Sequence, residues 1–141
     1  MNIDINLQSG VPIYIQLTDQ IKHQVAIGEL KPGDQLPTVR QLAADLRVNF
    51  NTIARSYRLL DEAGIISTQH GRGTFILEPK NEEETEKLKY EDLAGITRQY
   101  LTEAKRLGYD PKDVRKIFEK KMNIWIDTGD PPTPEHDTNG K

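Results

Sequence analysis

The chain of 141 residues contains no cysteine, one tryptophan and only 6% aromatic residues. Without cysteine it forms neither disulfides nor thiolate zinc sites, and its histidines, His23, His70 and His136, lack metal-ligand spacing. No apolar run approaches the ~18 residues of a transmembrane helix, and the first residues lack the basic and apolar regions of a signal peptide. We therefore expect no metal, no cofactor, no membrane partner and a cytoplasmic location.

The formal net charge of −3 is unevenly distributed along the chain. Residues 38–73 carry five arginines against three acidic residues, whereas residues 81–141 carry 11 basic and 14 acidic residues. Because local charge determines the electrostatic field at a surface, a basic segment can bind nucleic acid within a protein that is acidic overall. The negative net charge therefore does not exclude a nucleic-acid partner.

The first half of the chain has the pattern of three helices. Apolar residues from Tyr14 to Val25 recur every three or four residues, which predicts a first helix that ends at Gly28. Pro32 and Pro37 make residues 30–37 a turn.

The second and third predicted helices have the spacing of a helix-turn-helix. Thr38 and Gln41 form a capping box that opens the second helix, which ends near Arg47. Asn49 is an N-cap for the third helix, whose inner face is predicted to contain Phe50, Ile53, Tyr57 and Leu60. Two short helices joined by about three or four residues are typical of a helix-turn-helix.

Two β-prone runs, residues 65–69 and 74–77, flank His70, Gly71, Arg72 and Gly73 and predict a hairpin. Helix, helix-turn-helix and hairpin in this order indicate a winged helix spanning residues 9–78. The predicted fold class is mostly α with a small β-hairpin, an N-terminal winged helix-turn-helix followed by a two-helix C-terminal dimerisation unit.

Residues 83–127 are predicted to form the two helices of that unit, separated by Gly108 and a new N-cap at Asp110. A single copy of such a unit buries its apolar stripe poorly, so we expect a homodimer. Residues 128–141 are rich in Pro, Gly and Asp and are predicted to be a disordered tail. The residues predicted to form the dimer interface, or alternatively a local core, are Leu88, Leu93, Ile96, Tyr100, Leu101, Leu107, Ile117 and Phe118.

The third predicted helix has the polar face that a recognition helix needs. Side chains near its N-terminus can reach base edges in the major groove, where Asn pairs with adenine and Arg with guanine, each good pair contributing ~1–3 kcal/mol of discrimination. The preceding helix crosses the DNA backbone, and a glycine-rich wing lets arginine approach a narrow minor groove. The predicted DNA-binding residues are Thr38, Arg40, Asn49, Asn51, Thr52, Arg55, Arg58, His70, Gly71 and Arg72.

Each assignment has a structural alternative. Asn49 can act only as a cap, Arg55 and Arg58 can belong to a solvated charged face, and His70 can be an ordinary hairpin residue. A winged helix used for protein interaction is a second candidate function, although it should have an apolar or acidic third-helix face. No paired carboxylates, nucleophile elbow or phosphate loop is found, so we expect no enzymatic activity.

The segment LPTVRQLAADLRVNFNTIARSYRLLDEAGIISTQHGRGTFI, with the preceding GVPIYIQLTDQIKHQVAIGELKPGDQLP, closely resembles the DNA-binding half of the GntR family of bacterial regulators. Residues 48–57 and the short C-terminal region resemble the YtrA type, in which a proline usually stands at the position of Phe50. Other subfamilies have arginines at the positions of Phe50 and Ala54, so base contacts there do not carry over. Phe50 either packs inward or contacts a thymine methyl.

The resemblance implies a homodimer on a palindromic DNA operator, usually a repressor of its own operon and of neighbouring ABC transporter genes. Arg40, residues 49–55 and the wing at Gly71 carry over as DNA-facing positions. Two-fold symmetry would place half-sites about one helical turn apart, ~34–36 Å. The C-terminal unit is too short to enclose a pocket of ~300–1,000 Å³, so any small-molecule effector would bind between subunits.

Overall fold

The computed structural model describes residues 1–134 and contains five helices and three strands within them. Part of the predicted disordered tail, residues 135–141, lies outside the described residues. In chain order the elements are α1 Ile13–Ala26, β1 Gln35–Leu36, α2 Val39–Leu46, α3 Phe50–Glu62, β2 Ile66–Gln69, β3 Gly73–Ile76, α4 Glu82–Arg106 and α5 Pro111–Thr128. The chain divides into two units, Met1–Thr102 and a second unit that begins at Glu103.

Local sequence signals fix both ends of α2 and the start of α3. The Thr38 hydroxyl accepts a hydrogen bond from the Gln41 backbone N–H, and the Gln41 side chain accepts one from the Thr38 N–H, so the predicted capping box is confirmed. Arg47 ends α2 with a left-handed φ of 55°, and Asn49 then caps α3. This short left-handed turn makes the two helices a helix-turn-helix.

The sheet has three strands in the order β1-β3-β2, both pairs antiparallel. The hairpin of β2 and β3 matches the prediction, with Ser67 opposite Phe75. The prediction of a simple turn for residues 30–37 missed β1, where Gln35 pairs with Phe75. A two-residue strand between prolines has no periodicity of its own, and its pairing with β3 depends on the tertiary fold.

The core of the first unit lies between the three N-terminal helices and the sheet. Leu17, Ile21, Ile53 and Leu60 are completely inaccessible to solvent. Burying such a side chain contributes about 1.5–3 kcal/mol, so these residues hold α1 against α3. The remaining buried hydrophobic residues are Leu30, Leu36, Leu42, Tyr57, Ile65, Ile66 and Ile76.

The N-terminal segment is bound to α1 by a ladder of glutamine side chains. Glutamines one turn apart on α1 bond the backbone of alternate residues of this extended segment, Gln24 to Asn2, Gln20 to Asp4 and Gln16 to Asn6. The residues between them, Ile3 and Ile5, pack against the core. The eight-residue rise from Gln16 to Gln24 is about 12 Å and four extended residues span about 13 Å, so the spacing of the glutamines matches that of the backbone groups they bind.

The part of α4 in the first unit lies against α1 through charged side chains. Lys22 Nζ is 3.2 Å from Glu91 Oε2, and His23 Nδ1 is 2.9 Å from Asp92 Oδ1. An ion pair also joins Arg98 to Asp19 beside Gly95, the one buried residue of α4. Two ion pairs and the His23–Asp92 hydrogen bond thus join these two helices.

In the second unit, α5 has the predicted start. The Asp110 side chain accepts a hydrogen bond from the Lys112 N–H, and Pro111 occupies the first turn. Gly129 ends the helix with a φ of 83°. At the end of α4, a hydrogen bond from Arg106 lowers the pKa of the Glu103 carboxyl.

Candidate nucleic-acid interface

The outward face of α3 carries three of the predicted DNA-binding side chains. The helix buries Ile53, Ser56, Tyr57 and Leu60. With 3.6 residues per turn, the opposite face contains Asn51, Arg55 and Arg58, all of them exposed. The structure therefore brings one amide and two guanidinium groups to a common surface, while Thr52 lies half-buried at its edge.

The two asparagines at the start of α3 have different bonding states. Asn49 Oδ1 accepts a hydrogen bond from the Asn51 N–H at 2.7 Å, so this side chain is an N-cap. The Asn51 side chain makes no hydrogen bond with residues 1–134. Since bidentate pairing with adenine needs both the oxygen and the nitrogen of the amide, Asn51 is better suited to it than Asn49.

No arginine of residues 38–73 has an acidic partner within residues 1–134. Every ion pair found in residues 1–134 joins side chains outside this range. Unpaired guanidinium groups on an exposed surface keep all their donors available for phosphate or guanine. The exposed arginines in question are Arg40, Arg47, Arg55, Arg58 and Arg72.

The N-terminus of α2 provides a second polar site. Thr38 caps the helix and Arg40, in its first turn, is exposed. The positive end of the helix dipole and the Arg40 guanidinium both favour an anion at this position. The Thr38 hydroxyl accepts from the Gln41 N–H at 3.1 Å and keeps its own hydrogen for donation, so Thr38 and Arg40 can both bind an anion here.

His70, Gly71 and Arg72 form the exposed tip between β2 and β3. Gly71 has a φ of 76°, which a residue with a side chain adopts at a cost. At the base of the wing, the Gln35 side chain donates a hydrogen bond to the Arg72 carbonyl at 3.3 Å. The wing is thereby tied to β1 while the Arg72 side chain remains exposed.

Phe50 is 49% exposed, although the helical period assigns it to the inner face. It is the first residue of α3, one turn before the first completely buried residue, Ile53. It is also the one exposed aromatic side chain in residues 9–78, all of which the structure describes. An apolar side chain is thus present beside the polar donors of α3.

Tyr14 contacts the candidate interface, and the sequence pattern does not identify this role. Its ring lies under Arg55, with 3.7 Å between the guanidinium carbon and the ring centroid. Its carbonyl accepts a hydrogen bond from Ser56 Oγ at 2.8 Å. Tyr14 fits the apolar period of α1, so periodicity alone predicts only a packing role for it.

Tyr57 connects α3 to the segment that precedes α2. Its hydroxyl donates to the Pro37 carbonyl at 2.6 Å, and burial raises the pKa of the phenol. The bond lies immediately before the cap of α2. Tyr57 therefore fixes the distance between the N-terminus of α2 and the recognition face of α3.

The predicted dimerisation residues differ in their exposure. Leu88 packs against the core of the first unit and is only half-buried. The other seven are 47–63% exposed: Leu93, Ile96, Tyr100, Leu101, Leu107, Ile117 and Phe118. Trp125, 50% exposed, and Met122, 38% exposed, extend the apolar surface of α5.

Residues 1–134 contain neither a candidate metal site nor a helix that could span a membrane. No group of three or more His, Asp or Glu side chains within residues 1–134 is placed to hold a metal ion. No helix in the same range is both long and apolar enough to cross a membrane.

Comparison with known proteins gives consistent matches. Residues 13–76 match the family described as bacterial regulatory proteins, gntR family. The chain is 43% identical over 99 residues to the HTH-type transcriptional regulator YhcF of Bacillus subtilis, covering 69% of this chain and 82% of YhcF. It is 46% identical over 76 residues to the B. subtilis transcriptional repressor YtrA, covering 54% of this chain and 58% of YtrA.

A solved structure agrees with these matches. YtrA from Sulfolobus acidocaldarius, a GntR-family transcription factor, has a TM-score of 0.52 and 40% identity, covering 65% of this chain and 97% of that chain. The predicted winged helix-turn-helix with C-terminal helices is confirmed. Because the matched proteins are transcription regulators, the prediction that the chain is not an enzyme is also confirmed. The chain belongs to the GntR family of bacterial regulatory proteins and is a YtrA-like DNA-binding transcription regulator.

Proposed function

We propose that the protein represses transcription by binding a palindromic operator as a homodimer. The observation that carries the proposal is the exposed face of α3, where Asn51, Arg55 and Arg58 have neither an ion pair nor a side-chain hydrogen bond to residues 1–134. Duplex DNA supplies the acceptors that these donors lack, phosphate oxygens on the backbone and base edges in the major groove.

In the proposed complex, the first turn of α3 enters the major groove. Asn51 pairs with adenine, Arg55 contacts a base or a phosphate, and Arg58, one turn later, contacts phosphate. Arg40 at the start of α2 binds a backbone phosphate. The exposed wing brings Arg72 to a narrow minor groove, whose negative potential attracts arginine. His70 and Gly71 support this approach, and Asn49 acts mainly through its cap.

Phe50 provides an apolar contact in the same complex. The thymine 5-methyl is the apolar group that bases present in the major groove. Contact with that methyl would remove apolar surface of an exposed phenylalanine from water, which is favourable. The exposure of Phe50 therefore favours thymine contact over inward packing, and we propose that each half-site contains a thymine at this position.

The homodimer is proposed to form through the exposed apolar side chains of α4 and α5. Each of the two units leaves its own members of this set exposed, and exposed apolar patches on soluble proteins usually mark interaction sites. In a two-fold dimer, the same surface of both copies becomes buried. Leu88 is excluded from the proposed interface because it packs within its own subunit.

The proposed biological role follows the family resemblance. The B. subtilis relative YtrA is a transcriptional repressor, which supports repression rather than activation. The regulated genes are proposed to be the protein's own operon and a neighbouring ABC transporter. The protein would act in the cytoplasm, and any small-molecule effector would bind between subunits.

A fluorescence-anisotropy titration tests operator binding. The protein is titrated against the DNA upstream of its own gene and against a scrambled duplex, at several salt concentrations. The proposal expects selective binding with two chains per duplex. Equal, salt-sensitive binding to both duplexes contradicts sequence-selective binding to this DNA, and no binding to either favours the protein-interaction module.

Two variants separate the roles within the interface. Arg40→Ala should weaken binding to all sequences and reduce the salt dependence, whereas Asn51→Ala should change the preference at particular base pairs. If both variants lose the same affinity for every base substitution in the operator, this division of roles between Arg40 and Asn51 is contradicted.

Sedimentation of a charged variant tests the dimer. Leu101→Glu should produce monomers at concentrations where the unaltered protein is dimeric, because it buries a charge in the proposed interface. Gln99→Glu introduces the same charge on a neighbouring exposed position and should leave the dimer intact. Dimers of both variants would exclude this surface as the interface.

A further inference from the structure

The first turn of α1 holds one arginine of the recognition helix in place. Tyr14 presents its ring to Arg55 at 3.7 Å, while its backbone carbonyl accepts hydrogen bonds from Ser56 Oγ at 2.8 Å and Thr18 Oγ1 at 2.7 Å. Ser56 is completely buried, and it follows Arg55 directly in the chain. The aromatic ring and the arginine are therefore both fixed relative to the same buried contact between α1 and α3.

This stacking leaves the donors of Arg55 unoccupied. A guanidinium group is planar, and its five N–H bonds lie in that plane, so a ring that covers its face does not use its hydrogen-bonding edge. Arg55 makes no ion pair with any residue of the described chain. The Tyr14 ring thus orients the Arg55 guanidinium, whose N–H donors remain available to an acceptor on another molecule.

We infer that Tyr14 is a positioning residue for sequence recognition: it stacks beneath Arg55 and orders the guanidinium before DNA binds. This role rests on the proposed function, since Arg55 needs an operator to contact. Ordering a long side chain on binding costs conformational entropy, and an arginine that is already ordered avoids part of that cost. The role belongs to α1, outside the helix-turn-helix itself.

Arg58 is the matched control within the molecule. It lies on the same exposed face of α3, about one turn after Arg55, and has no stacked ring and no ion pair within residues 1–134. A change at Tyr14 should therefore alter the contribution of Arg55 and leave that of Arg58 unchanged.

A double-mutant cycle in operator binding tests the role. Tyr14→Leu removes the ring but keeps the apolar bulk and the carbonyl, whereas Tyr14→Phe keeps the ring. A cation–π contact at an exposed site corresponds to a loss of roughly two- to fivefold in affinity for Tyr14→Leu. Tyr14→Phe should bind the operator within about twofold of the unaltered protein.

The cycle distinguishes positioning from simple stabilisation. The loss caused by Tyr14→Leu should disappear in an Arg55→Gln background and persist in full in an Arg58→Gln background. The ratio of operator affinity to scrambled-duplex affinity should also fall for Tyr14→Leu. Equal losses in both arginine backgrounds, or a lower unfolding stability with an unchanged affinity ratio, overturn the role.

The failure of this inference is distinguishable from failure of the proposed function. Selective operator binding by the unaltered protein, with no coupling between Tyr14 and Arg55, overturns only the role of Tyr14. Absence of selective binding by the unaltered protein overturns the proposed function, and the role of Tyr14 in recognition with it.

Discussion

Replacing Gln16 by methionine should destabilise the first unit, although the two side chains have similar volumes. Gln16 is 6% exposed, and its amide accepts from the Asn6 N–H at 2.8 Å. Its two amide hydrogens are shared among three acceptors, the Asn6 carbonyl, Ser9 Oγ and the Val11 carbonyl, at 2.8–3.0 Å. Methionine preserves the packing and removes all of these bonds, which contribute about 0.5–1.5 kcal/mol each. We expect the free energy of unfolding to fall by about 2–4 kcal/mol.

Urea unfolding of the full chain measures this effect. With a slope of about 2 kcal/mol per molar urea, the midpoint should fall by about 1–2 M. The matched control is Gln20→Met, which removes the two bonds to Asp4 at a more exposed site and should cost less than about 1 kcal/mol. A midpoint for Gln16→Met that equals that of the control would refute the structural role given to the glutamine ladder.

Three further predictions concern α3 and α4. Tyr57→Phe removes the hydrogen bond to Pro37 and should lower the free energy of unfolding in urea by about 1 kcal/mol. Because burial raises the pKa of the Tyr57 phenol above its ordinary 10.0, the unaltered protein should lose stability as the pH rises above 10. The variant should lack this loss. Replacing the contacted thymine by deoxyuridine removes one methyl and should weaken operator binding roughly fourfold. Phe50→Ala should bind the thymine and deoxyuridine operators with equal affinity. A fourfold preference for thymine that persists in Phe50→Ala contradicts the contact. Gly95→Ala should raise the free energy of unfolding by up to about 1 kcal/mol, because alanine has the higher helix propensity and its added carbon meets the Asp19 carboxylate at an ordinary 3.5 Å. Gly95→Leu should lower the free energy of unfolding, because a larger side chain would clash with Asp19. Equal stability of both variants would contradict the close approach of α4 to α1.

The features that the sequence predicts correctly have short-range causes. The capping box of Thr38 and Gln41, the N-cap at Asp110 and the glycine turn of the wing each depend on a few neighbouring residues. The apolar periods of α1, α2 and α3 likewise predict their buried faces. Such signals suffice for the order of elements and hence for the winged helix.

The features that the sequence does not reveal depend on contacts between distant segments. Strand β1 exists through its pairing with β3, and the glutamine ladder requires the N-terminal segment to lie along α1. Apolar periodicity does not report polar side chains that bind backbone. Phe50 follows the apolar period, yet the first turn of α3 extends beyond the core, so half of its surface remains exposed.

The sequence predicts the residue types of the candidate interface better than their hydrogen bonds. It assigns Asn49 as an N-cap and, with Asn51, as a DNA-binding residue; in the structure Asn49 is the cap, whereas the Asn51 side chain has no hydrogen bond to residues 1–134. Leu88 has the same helical spacing as the exposed apolar side chains of α4, yet it packs on the core because it lies near the start of that helix. Only the fold determines which members of a periodic pattern are covered.

Selection of binding sites from a library of randomised duplexes is the most direct test of operator recognition by a dimer. The full chain is incubated with the library, bound duplexes are recovered over several rounds, and their sequences are determined. If the protein binds as a two-fold dimer, the recovered duplexes should share an inverted repeat whose half-site centres are about 10 base pairs apart, or a multiple of that distance. Recovery of duplexes with no common sequence, or of a motif without two-fold symmetry, would contradict operator recognition by a dimer.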